Sequence, residues 1–87
     1  MAFPFGGHPR FQDYLEWART EQGCVYQSGY AKPDGRVETF VRIENPANGK
    51  HAIEFIRFAE TLTPSTVSAL DRRLGLESPF LKMATYD

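Results

Sequence analysis

The sequence predicts a single α+β domain in the order α-β-β-β-α, with a three-stranded antiparallel sheet and both helices on one of its faces. Three observations predict it. Two segments carry apolar residues at helical spacing and each ends at a glycine; the run from Arg36 to Glu44 alternates in the period of a strand; and two turn signals, Lys32-Pro33-Asp34-Gly35 and Asn45-Pro46-Ala47-Asn48-Gly49, divide the middle of the chain into three short strands. At 87 residues the chain holds one hydrophobic core and not two. With 41% apolar and 14% aromatic residues it has the material to fill that core.

Residues 1–8 read as a flexible arm, because Pro4 and the Gly6-Gly7 pair oppose regular structure. The folded domain is expected over residues 9–76. Its first helix runs from Pro9, placed at the first helical position, to Gln22; Phe11, Tyr14, Leu15 and Ala18 form the apolar stripe, Trp17 widens it, and Gly23 supplies the left-handed stop.

The first strand is expected over Cys24 to Tyr30 and ends in the Lys32–Gly35 turn. The second, Arg36 to Glu44, sets Val37, Thr39, Val41 and Ile43 on one side and Arg36, Glu38, Phe40, Arg42 and Glu44 on the other. Asn48-Gly49 provides the positive φ angles of a tight hairpin into a third strand, Lys50 to about Phe58. There His51, Ile53 and Phe55 oppose Ala52, Glu54 and Ile56, and the pattern blurs at Phe55-Ile56 as at a bulge.

The second helix is the most sharply signalled element. Thr63 is its N-cap, Pro64 its first residue, Val67, Leu70 and Leu74 its stripe, and Gly75 its stop, with Leu76 folding back on Leu70. Arg72 and Arg73 fall in the last turn, where cations suit the helix dipole. Residues 77–87 form a tail in which Ser78-Pro79 announces a further short helical turn over Phe80 to Ala84.

Composition narrows the function classes. Ten basic against eleven acidic residues argue against a nonspecific nucleic-acid coat, while leaving room for a local basic patch. A single cysteine, Cys24, and two histidines, His8 and His51, supply no zinc-ligand set and no internal disulfide, so neither metal nor cofactor is expected. No signal-peptide pattern or apolar run of membrane length occurs, which reads as a cytoplasmic protein without a membrane partner.

The stretch Leu62-Thr-Pro-Ser-Thr-Val-Ser-Ala-Leu-Asp-Arg-Arg-Leu-Gly-Leu76, arriving directly after a third strand, resembles the closing segment of HicA family toxins. Pro64, Thr66, Val67, Leu70, Gly75 and Leu76 occupy the places that carry the likeness, which extends over roughly Phe11 to Leu76. The resemblance implies a fold of the double-stranded-RNA-binding-domain type, action on mRNA, and a HicB-like antitoxin as protein partner in a toxin–antitoxin system. The family's catalytic histidine, in a Gly-Ser-His motif at the start of the second strand, is not matched: the chain reads Arg36-Val37-Glu38 there, and Arg57 where the later histidine falls. The resemblance therefore implies a small RNA-binding protein without the usual catalytic histidine.

Two function classes stand side by side. In the first, Arg36, Arg42, Lys50 and Arg57 contact phosphate and Phe40 stacks a base, with Glu38 and Glu44 on the same face opposing phosphate. In the second, the chain is a noncatalytic interaction module, an antagonist or adaptor, binding a protein through the sheet face or through the aromatic termini Phe3, Phe5, Phe80 and Tyr86; the alternative for those termini is packing on their own domain. The remaining residues have structural roles to weigh against chemical ones. His51 is either an acid–base group or a half-buried strand residue, Arg57 a phosphate contact or an ion-pair partner of Glu60 or Glu54, Glu38 a base or a strand residue, and Cys24 a small strand residue or a nucleophile.

Overall fold

A computed structural model of the protein describes residues 9–31, 35 and 38–80. The element order is α1 (Phe11–Gln22), β1 (Val25–Ala31), β2 (Glu38–Asn45), β3 (Lys50–Glu54) and α2 (Pro64–Leu74). The strands form one antiparallel sheet in the order β1-β2-β3. The α+β class and the order α-β-β-β-α are those the sequence predicts. The arm 1–8, Arg36, Val37 and the tail beyond Phe80 lie outside the described residues.

Alternation along β2 decides where the core lies. Val41, Ile43 and Asn45 are buried while Phe40, Arg42 and Glu44 between them are not. Phe11, Tyr14, Leu15 and Ala18 of α1 and Val67, Leu70 and Leu74 of α2 join Val41, Ile43 and Ala52 in one cluster, so both helices cover the same face. Leu76 is buried there with Leu70, and its N–H bonds to the Asp71 carbonyl at 2.8 Å, which closes α2 past the left-handed Gly75 (φ 69°).

Three expected boundaries are corrected, each because a backbone group is used elsewhere. Helix α1 starts at Phe11 and not Pro9: Arg10 is extended and bridges to Thr61, and the Pro9 carbonyl accepts from the Leu62 N–H. Strand β1 begins at Val25 because the Cys24 N–H closes α1 on the Ala18 carbonyl at 3.0 Å. Strand β3 stops at Glu54, well short of Phe58, because the chain leaves the sheet to run past α1. There the carbonyls of Phe58 and Glu60 accept from Gln12 and Phe11, two of the N–H groups that a helix start leaves without partners. The β2–β3 turn falls where the sequence places it, over residues 46–49, closed by Gly49 N–H on the Asn45 carbonyl at 2.8 Å with Gly49 at φ 74°.

Two polar clusters fasten the helices. Asn45 and Asn48 both donate to the Leu74 carbonyl, at 2.9 and 3.1 Å, so the β2–β3 loop caps the end of α2. The buried Asp71 carboxylate accepts from the Tyr14 hydroxyl at 2.6 Å and from both the backbone and the hydroxyl of Ser78, at 3.1 and 2.8 Å. That network joins α1, α2 and the chain after α2, and no buried side-chain nitrogen or oxygen among the described residues lacks a partner.

Candidate functional site

Both helices lie on one side, and among the described residues no helix covers the other side of the sheet. In antiparallel pairs the residues directly opposite share a face, so the register sets three rows across it: Val25–Glu44–His51, Gln27–Arg42–Ile53, and Gly29–Phe40. Phe55, just past β3, completes the third row, its ring centre 6.3 Å from that of Phe40. Gly29 has a structural purpose here. The Phe40 ring lies across it so closely that a Cβ at position 29 would sit 2.9 Å from Phe40 Cζ.

This open face exposes several large apolar side chains. Val25 is 55% exposed, Ile53 45% and Phe55 56%, with the half-buried Phe40 among them. Among the described residues its formal charges are those of Arg42, Glu44 and Glu38. Arg42 pairs with Glu44 at 3.2 Å, Glu38 adds a second carboxylate, and His51 is exposed, not half-buried as expected.

The five residues read as a phosphate-and-base surface do not all meet on that face. Phe40 and Arg42 do. Arg36 lies outside the described residues. Lys50 pairs with Asn45 on the helix-covered side, and its Cδ is 3.4 Å from where a Gly75 Cβ would stand, at the end of α2. Arg57 lies beyond the end of β3 and lines, with Phe40, Gly29, Tyr30, Thr39 and Phe58, a groove of about 450 Å³, so it stands near Phe40 although it is not on the strand. Its expected ion pair with Glu54 or Glu60 is not formed; Glu54 instead binds Arg73 of α2 at 2.9 Å.

The terminal aromatics divide in the same way. Phe80 is 4% exposed and its ring sits 5.8 Å from both Tyr14 and Trp17, so it packs on its own domain and is no docking residue. Phe3, Phe5, His8 and Tyr86 lie outside the described residues. A second cleft, about 530 Å³, opens beside Trp17, Phe80, Glu16 and Glu21; Glu16 there is already paired with Arg19 at 2.7 Å.

The perturbed acid groups belong to the core. Burial, followed by the bond to Asp71, pushes the Tyr14 phenol far above its ordinary range, so it stays a hydrogen-bond donor. Burial likewise raises the Cys24 thiol, which suits a core residue and opposes a nucleophilic thiolate. Among the described residues no group of three or more His, Cys, Asp or Glu is placed to hold a metal ion, and no helix is long and apolar enough to cross a membrane.

Sequence reading missed the apolar character of this face. The signal was present in Ile53 and Phe55 on the alternate positions of the third strand, which align with Phe40 once the register is known. No family model, curated protein or solved structure matches the chain.

Proposed function

We propose that this protein is a noncatalytic interaction module that docks a protein partner on the open face of its sheet. The observation that carries the reading is the set of apolar side chains Val25, Phe40, Ile53 and Phe55 on one face, exposed or half-buried beside an arginine whose charge Glu44 already matches. Aromatic and aliphatic side chains with few unpaired charges are the composition of an interface centre, whereas a phosphate-binding surface needs free cations. Affinity capture with the full chain, repeated with an Ile53→Ser/Phe55→Ser variant, tests it. A protein retained by the unsubstituted chain and lost from the variant is the expected result; identical retention by both places the docking surface elsewhere.

A second reading, a small RNA-binding protein of HicA type with a HicB-like partner, is favoured by one feature. Phe40 and Phe55 are neighbouring rings on an uncovered sheet with Arg42 and His51 close by in the register, a platform of the kind on which unpaired bases stack. Neither reading includes cleavage, because Arg36-Val37-Glu38 and Arg57 stand where the resemblance places histidines.

A further inference from the structure

The two edges of the sheet are built differently. Strand β3 is five residues long and carries Lys50, His51 and Glu54. Strand β1 is seven residues long, Val-Tyr-Gln-Ser-Gly-Tyr-Ala, with no charge and no proline, and its pairing with β2 runs from Val25–Glu44 to Ala31–Glu38 without a bulge. Short length, charges, prolines and bulges are the devices that protect a sheet edge from other strands. β3 has two of them and β1 none. Among the described residues no strand pairs with the outer side of β1. Two of its residues, Tyr26 and Tyr30, point to the helix side yet are 37% and 75% exposed.

We infer that the outer edge of β1 pairs antiparallel with β1 of a second copy about a twofold axis at Ser28, joining two three-stranded sheets into one of six strands. The strand's own sequence argues for a second copy over any other occupant. A twofold pairing centred on Ser28 sets Ser28 against Ser28, Gln27 against Gly29, Tyr26 against Tyr30 and Val25 against Ala31. Each pair shares a face, since the partners differ by an even number of positions, and none brings like charges together. The symmetry forms two Tyr26–Tyr30 cross-strand pairs, covering the most exposed aromatic residue of the described chain. The assembly closes at two copies, because each outer edge is then the protected β3.

Sedimentation velocity of the full chain, from micromolar to about 1 mM to cover a small and weak interface, tests this. The expected mass rises from 9.9 kDa to twice that value. Ser28→Lys sets two ammonium groups on the axis and weakens the dimer about tenfold or more; Ser28→Asp does the same with carboxylates. Mixing the two variants restores association, since opposite charges then face each other. Circular dichroism checks that each variant is folded. A protein that stays at 9.9 kDa throughout, a dimer indifferent to both substitutions, or a mixture no tighter than either variant alone overturns the inference.

Discussion

The two faces of the sheet come from one alternating pattern and end in opposite states. On one, Val41, Ile43 and Ala52 are at most 3% exposed beneath both helices; on the other, Val25, Ile53 and Phe55 are roughly half exposed, with no helix above them among the described residues. Side-chain chemistry alone does not distinguish them, since valine and isoleucine occur on both faces. What differs is the supply of covering elements: two helices of 12 and 11 residues suffice for one face of a three-stranded sheet. Apolar residues on the covered face stabilise the fold, and apolar residues on the open face are available to a partner.

This contrast is open to attack by substitution. The largest effect is expected at Leu70→Ala, on the fully buried stripe of α2, with a loss of about 2 to 5 kcal/mol in chemical denaturation. Next comes Tyr14→Phe, which leaves the Asp71 carboxylate to Ser78 alone and costs about 1.5 to 3 kcal/mol. The same variant has a pH signature. The folded phenol holds its proton above pH 10, where an unfolded tyrosine ionises, so its stabilisation is complete below about pH 10 and declines by about 1.4 kcal/mol per unit above it. Cys24, raised by burial, contributes a loss of the same sign. Compared in a Cys24→Ala background, Tyr14→Phe therefore flattens the alkaline decline, and an unchanged slope removes the buried phenol as its cause. The smallest effect is expected at Ile53→Ser, less than about 1 kcal/mol, because half of that side chain already meets water. A loss as large as that of Leu70→Ala makes the open face part of the core and ends the contrast.

Local chemistry made much of the fold legible in the sequence. Thr63, Pro64 and Gly75 bound α2 as read, since caps and left-handed stops act within one helical turn, and Thr63 Oγ1 accepts from the Thr66 N–H at 3.3 Å. The alternation of β2 likewise assigned Val41 and Ile43 to the core. Long-range competition for backbone groups was not legible. Nothing near Pro9 announces that its carbonyl goes to Leu62, or that residues 58–60 leave the sheet to serve the start of α1. The candidate site was half legible for the same reason. Phe40 and Arg42 share a face by local parity, but the separation of Lys50 from them depends on the strand end and on α2, the groove that Arg57 shares with Phe40 forms past the end of β3, and the Arg42–Glu44 pair appears only in three dimensions.

The most direct test of the open face is fluorescence anisotropy of a short labelled single-stranded RNA, titrated with the protein at low and at near-physiological salt. An apolar face with matched charge predicts no more than feeble binding, unaltered by Arg42→Ala with Arg57→Ala. Micromolar binding that falls steeply with salt, and that this double substitution weakens and flattens, contradicts protein docking as the purpose of the face and establishes RNA in its place.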